Sequence, residues 1–592
     1  MTLQPSPETT HHLSQRQITT ILVGLMMGMF LAALDQTVVS TSIRTIADDL
    51  QGLEHQAWAT TAYLITATIS TPLYGKLSDI YGRRLFFSIA ITIFVIGSAL
   101  CSLSMDMTQL AAFRAVQGLG AGGLFSLALA ILGDIVPPRE RARYQGYFLA
   151  VFGTSSVVGP VVGGFFAGAG TLFGVTGWRW VFLVNVPIGL VAFAVVQITL
   201  TMRHRRLDHR LDWWGALSLA TTLVPLLVVA EQGRTWGWGS PEALGCFGLA
   251  ALALPTFLAI ERHMGAEALL PLTLFVNPTV RVSSIASVML GMAMFGGLAT
   301  LPLYLQIVKG ATPTQAGLMM LPMTFGIMVG SIASGQTIAR TGRYRLFPIA
   351  GSAILAAAML SMSFVGADSP LPAVMVVMAF FGLGLGCNMQ PLTLAVQNAV
   401  SPRMIGVATA SATFTRQMGG TLGTAVFLSL LFAQVPQHIG DSMQRLAPTA
   451  AFQQALADPD NATFAARWRE ASAGGANPES AFGTVLQDSS FLKDLDPSLA
   501  RPFLVGFSES MDTVFLIGAA IMLVCFIVLL FLPEVPLRSG SAYDERAEAD
   551  AADAARAGST GHTPAGPRGT PVSLGDSTLS PPAGTPLGPP RS

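Results

Sequence analysis

Long apolar runs separated by short polar connectors recur along nearly the whole chain. A membrane-spanning helix needs about 20 mostly apolar residues. Fourteen runs qualify: 18–40, 57–76, 85–104, 109–134, 144–170, 178–202, 213–232, 243–261, 279–307, 314–339, 346–366, 371–395, 405–433 and 510–533. The runs are unbroken rather than alternating, and lipid leaves no backbone group unpaired, so they predict helices and not barrel strands. Basic residues collect after the even-numbered runs: "GRR" at 82–84, "RERAR" at 139–143, "RHRRLDHR" at 203–210, Arg262 with Arg281, and "RTGRYR" at 340–345. Connectors after odd-numbered runs, such as "SLSMDMTQ" and "GADSPLP", are mostly poor in them. The positive-inside rule then places both termini in the cytoplasm.

Three stretches lie outside this pattern. Residues 1–17 form a cytoplasmic N-terminal segment, and 539–592, rich in Gly, Pro, Ala, Ser and Thr, read as a disordered cytoplasmic tail. Residues 434–509 form a long outer loop with amphipathic pieces, "FQQALAD" and "SSFLKDL". Loops of that length are usually functional or disordered; here a folded extracytoplasmic element is expected, with room for a partner protein.

Composition agrees with the pattern. Of 592 residues, 51% are hydrophobic and 11% charged, against roughly 25% charged in a soluble domain; mean hydropathy is +0.56. Lys+Arg and Asp+Glu balance at 33 each, so nothing favours nucleic acid. The four cysteines have no metal or disulfide spacing, and no metal site or cofactor is expected. No nucleotide loop or nucleophile–base arrangement is present, which makes an enzyme the least favoured class. The first apolar run is too long for a cleavable signal peptide and carries a polar motif. The expected setting is the cell membrane, taken as the cytoplasmic membrane of a bacterium.

The chain repeats internally. "GKLSDIYGRRLF" at 75–86 has a counterpart in "GQTIARTGRYRLF" at 335–347, and "PPRERARYQG" at 137–146 in "SPRMIGVATA" at 401–410, both offset by about 260 residues. This predicts two six-helix halves, 18–202 and 279–538, with 203–278 contributing two inserted spans. A duplicated architecture of this kind binds its substrate between the halves.

Charges inside the runs supply candidate chemistry. Asp35 sits in "AALDQTVVST", where a carboxylate costs about 2.5–3.5 kcal/mol on insertion scales. Arg114 opens "RAVQGLGAGG", and Arg416, in "TRQMGGTLGTA", falls near mid-membrane, where it should face protein or a water-filled cavity. Gln117, Gln306, Asn388 and Gln390 either line such a cavity or bridge helices. No histidine falls within a predicted span, which leaves Asp35 as the leading proton carrier; a permanent Asp35–Arg114 ion pair is the structural alternative.

Five motifs resemble the major facilitator superfamily, in its fourteen-span drug/proton antiporter branch: "GKLSDIYGRR", "RAVQGLGAGG", "GTSSVVGPVVGG" at 153–164, "WRWVFLVNVPIG" at 178–189 and "LDQTVV" itself. The resemblance covers the fourteen spans and implies an all-α membrane fold of two six-helix bundles plus two inserted helices. It implies that Gly75, Asp79, Gly82, Arg83 and Arg84 latch the outward-facing state; a positive-inside anchor is the plainer reading. It implies that Gly153, Gly159, Pro160, Gly163 and Gly164 form the antiporter motif, which on its own is a helix-packing seam. Trp178 and Trp180 suit the outer interface. The family arrangement places spans 1 and 4 together, and Asp35 and Arg114 each lie about 7–8 Å below the outer surface, so they can pair. The function implied is proton-coupled export of amphipathic or cationic drug-like compounds by alternating access, with the proton as the coupling ion. Alternatives are a lipid or glycolipid exporter of the same fold, and a non-transporting sensor or scaffold.

Overall fold

The computed structural model describes residues 15–51, 56–200, 212–462, 464–466, 468 and 495–538. Fourteen long helices carry the fold: α1 Gln15–Asp49, α2 Gln56–Tyr81, α3 Arg83–Ser102, α4 Met107–Ile135, α5 Pro138–Gly168, α6 Asn185–Thr199, α7 Trp213–Trp236, α8 Pro241–Met264, α9 Pro278–Leu303, α10 Leu321–Thr341, α11 Leu346–Met362, α12 Leu371–Asn398, α13 Ile405–Leu446 and α14 Pro497–Leu529. Short polar signals set their ends. Asp106, Ser240, Asn277 and Asp496 cap the first turns of α4, α8, α9 and α14, three of them followed by proline at the first helical position. Gly342, at φ 72°, closes α10 in the left-handed conformation.

Among the described residues, twelve helical stretches are long and apolar enough to cross a membrane, and α11, at 17 residues, is a shorter apolar helix. Helix α2 is more polar. Its Thr66, Thr68 and Thr71 hydroxyls satisfy themselves on carbonyls of their own helix, so they can be buried without leaving an unpaired group.

Helices α1–α6 pack on one another, as do α9–α14, and the two groups meet along α2 against α13 and α5 against α10. Helices α7 and α8 pair together, and α7 also touches both α2 and α13. Leu219, Leu223 and Leu227 of α7 are buried there against Ile65 of α2 and Phe414 of α13. Small residues permit the closest crossings: a Cβ on Gly382 or Gly386 of α12 would overlap the backbone of α10.

Several boundaries differ from the hydropathy pattern. Helices α13 and α14 continue 13 residues beyond their apolar runs, to Leu446 and back to Pro497. Val435, Ile439 and Met443 recur at helical spacing and are buried with Phe503, Phe507 and Met511 of α14. The expected outer loop therefore begins and ends as a continued helix pair. "FQQALAD" coincides with a helix, Ala450–Ala457, whose Phe452 packs edge-on against Trp468 at 5.5 Å. "SSFLKDL", up to its last position, lies outside the described residues, as do the tail 539–592 and the whole loop 203–210. His438, placed beyond the span by hydropathy, lies on α13 and contacts the Ser510 hydroxyl at 3.0 Å.

The sixth run is not one helix. A hairpin of β1 Thr171–Leu172 and β2 Val175–Thr176 leads into a 3₁₀ turn, Gly177–Arg179, and a short helical turn, Trp180–Leu183, before α6. Trp178 departs from the expected interfacial place: it is 2% exposed, and its Nε1 donates to Asp49 at 2.7 Å. Trp180 donates to the Leu172 carbonyl at 3.1 Å and stacks on Phe166.

Candidate functional site

Asp35 and Arg114 meet. Arg114 Nη1 lies 2.5 Å from Asp35 Oδ2, with the side chains 1% and 0% exposed. The other carboxylate oxygen accepts from Gln117 Nε2 and from Asn185 Nδ2, each at 2.8 Å. Gln117 also accepts from Arg114 at 2.7 Å and donates to the Ser98 hydroxyl at 2.6 Å. Arg114 Nε donates to the Ala59 carbonyl at 3.2 Å, and its guanidinium lies 4.1 Å above the Tyr63 ring. Five helices thus converge on one buried ion pair. Desolvating two charges is expensive unless their remaining hydrogen-bonding capacity is met, and here amides and a hydroxyl meet it.

A central cavity of about 1610 Å³, its open mouth included, lies between the two helix groups. Met29, Tyr63, Phe125 and Phe148 form its wall on one side; Met294, Phe295, Gln390 and Arg416 do so on the other. Tyr63 belongs to both constructions, lining the cavity and covering Arg114, and Gln36 places the residue beside Asp35 in the same wall. Of the five residues expected to line a cavity, Gln390 and Arg416 do. The other three serve elsewhere. Gln117 is tied to Asp35. Asn388 donates to the Gly384 carbonyl at 2.8 Å and packs on Gly351 of α11. Gln306 falls in a π-helical turn, Tyr304–Val308, at the end of α9 and is not in the wall.

At the end of the molecule carrying residues 75–83, the two groups are clamped. Asp79 Oδ2 accepts from the Val407 backbone N–H at 3.0 Å, in the first turn of α13, where unpaired donors and the helix dipole favour a carboxylate. Arg83 holds Asp79 from behind at 2.5 Å and reaches Asp134 of α4 at 2.8 Å. Gly75 and Gly406 allow the approach, since a Cβ on Gly75 would overlap Ala410 and one on Gly406 would overlap Asp79 and Arg83. Arg84 takes no part across the seam; it is exposed and binds the Gln197 side chain and carbonyl of α6. Gly82 is the hinge between α2 and α3, at φ 107°. The sequence reading missed Gln397, which donates to the Leu129 carbonyl at 3.2 Å and accepts from Arg141 at 3.3 Å, both across the seam.

The glycine motif of α5 divides its contacts. Gly159 and Gly163 pack on α1 at Thr37 and Thr41, and Ser42 donates to the Gly163 carbonyl at 3.1 Å. Gly153 faces Thr324 of α10, and Pro160 lies against Gly317 beyond it, so one stretch touches both helix groups. A Cβ on Gly164 would meet nothing within 4 Å, so this glycine is not required by the seam. Asn185 was available in "FLVNVPIG" as the lone amide of an apolar run, but the flanking tryptophans drew the reading.

A family model described as Major Facilitator Superfamily matches residues 25–424. The Multidrug transporter protein MdtP of Bacillus subtilis is 31% identical over 543 residues, covering 91% of this chain and 97% of that one. A tetracycline resistance determinant of Streptomyces rimosus is 36% identical over 341 residues, 58% of this chain and 96% of its own. Among solved structures, the proton:xylose symporter XylE superposes with a TM-score of 0.55 at 15% identity, over 90% of this chain and 99% of that one, a likeness of fold. Two helix bundles about a central cavity, the matched family model and a Bacillus relative of nearly the same length agree: this chain is a multi-pass membrane transporter of the major facilitator superfamily, in its drug/proton antiporter family.

Proposed function

We propose that this transporter expels amphipathic, drug-like compounds from the cell in exchange for protons, by alternating access with both termini in the cytoplasm. The observation that carries this reading is the shared residue: Tyr63 lines the cavity, and its ring lies 4.1 Å from the Arg114 guanidinium of the ion pair. Arg114 keeps its proton under all working conditions, so Asp35 is the member of the pair that can exchange one. Protonating Asp35 removes the partner of Arg114 and loosens α1 from α4, while the clamp at Asp79 and Gln397 sets which side is closed. Cargo in the cavity then alternates with the proton for the same conformational change. Relatives named for multidrug transport and tetracycline resistance support export.

The test is pH-gradient-driven efflux by the purified chain in proteoliposomes. Asp35→Asn should abolish gradient-driven movement while cargo still binds, and Asp35→Glu should restore part of it. Gradient-driven efflux that survives Asp35→Asn would refute the assignment.

A further inference from the structure

The cavity wall contains one cation and no anion. Arg416 of α13 is 9% exposed, and among the described residues it makes no ion pair and no hydrogen bond through its side chain. Among the described lining residues it is the one charged group; no Asp or Glu lines the space. Asp35 does not answer this charge, being fully buried and held by Arg114, Gln117 and Asn185.

An arginine does not shed its proton, and a buried charge without a partner is strongly unfavourable. A guanidinium facing a cavity satisfies itself on whatever acidic group enters, through a planar fork suited to carboxylate and similar oxyanions. Gln390 and Thr413 add polar groups beside it. The remaining wall mixes aliphatic residues, threonines and glutamines with aromatic and methionine side chains, Phe125, Phe148, Met294 and Met389 among them, and these give it a polarizable surface that adapts to flat ring systems.

We infer that the cavity selects aromatic molecules bearing one acidic group (carboxylate, sulfonate or acidic enol), with Arg416 as the residue that reads the acid. Cationic cargo meets a like charge there and no carboxylate. This narrows the cargo of the exporter proposed above, and its transport arm rests on that reading; its binding arm does not.

Two probes with one skeleton test it: 8-anilino-1-naphthalenesulfonate, and N-phenyl-1-naphthylamine, which lacks the sulfonate. Binding is measured on the full chain in phosphatidylcholine nanodiscs, with ethidium as a cationic comparison. The sulfonate should bind the wild type roughly 10–100-fold more tightly than its neutral twin, the factor of one charge-assisted contact. Arg416→Gln should erase that ratio with the neutral probe unchanged, and Arg416→Lys should keep part of it. Equal affinities in the wild type, a loss in Arg416→Gln common to both naphthyl probes, or ethidium binding as tightly as the sulfonate would each overturn the inference. If Arg416→Gln does not fold, the wild-type ratio and Arg416→Lys decide alone. In proteoliposomes, gradient-driven export of ethidium but not the sulfonate would overturn the inference and uphold export. A preserved anion preference with no gradient-driven movement of any probe would uphold the inference and sink proton-coupled export.

Discussion

Asn185 shows how a neutral residue governs a charged one. Its amide and that of Gln117 share one oxygen of Asp35, and Ser98 accepts from both amides. Asn185→Ala should lower stability by about 1–3 kcal/mol, the range for a buried hydrogen-bonded group left unpaired. Its stability cost should shrink in an Asp35→Asn background, where the shared carboxylate is gone, which a double-mutant cycle on thermal unfolding measures. At this scale legibility follows cost. Asp35, Arg114 and Arg416 stood out because a full charge in an apolar run is expensive. Gln117, Asn388 and Gln390 did not separate, because an amide serves equally well against a neighbouring helix or a cavity. Gln397 was invisible for the same reason, although it bridges α12 to α4 and α5.

Among the elements, α13 and α14 depart furthest from their hydropathy. A hydropathy window reports where side chains suit lipid; it does not report where a helix ends. Beyond their apolar runs, burial of Ile439, Met443, Phe503 and Phe507 in a narrow interhelical stripe keeps both helices going. Phe503 is 1% exposed and meets Phe464 edge-on at 6.3 Å. Phe503→Ala should destabilise by about 3–5 kcal/mol through the cavity it leaves, read as a lowered midpoint of thermal unfolding. Affinity for cavity ligands should stay unchanged, because the lesion lies outside the cavity wall. The twin motifs at 75–86 and 335–347 were readable as a repeat, and as an unequal one, since the second has Ala339 where the first has Asp79; the partner of Asp79 needed the structure. Only the first sends a carboxylate, Asp79, into a helix N-terminus of the opposite bundle.

For the whole molecule, the duplication and the all-α fold were legible from period and composition. The way the bundles hold each other was not, since contacts such as Gly75 on Ala410 depend on residues 335 positions apart. Gly75→Leu should wedge the seam open at that end. Hydrogen exchange would then rise together at 405–410 and at 129–141, while the helix pair around 434–446 stays protected; an effect confined to the neighbourhood of residue 75 would contradict a common clamp. The inserted helix α7, lying on both α2 and α13, then rides on a joint whose two sides move relative to each other.

The solitary cation of the cavity has an electrical consequence. With Asp35 and Arg114 neutralising each other, the cavity presents one net positive charge and binding a monoanion cancels it; once Asp35 takes up the exchanged proton, the returning carrier of the proposed cycle holds two. In that cycle a membrane potential, negative inside, does no work on the loaded carrier as it turns outward, yet it pulls the protonated one back. A charge crossing the full field gains about 2.3 kcal/mol per 100 mV. Imposing an inside-negative potential with valinomycin and potassium should speed turnover of an anionic cargo by accelerating the return, and Arg416→Gln should lose part of that voltage response while keeping the part carried by the proton.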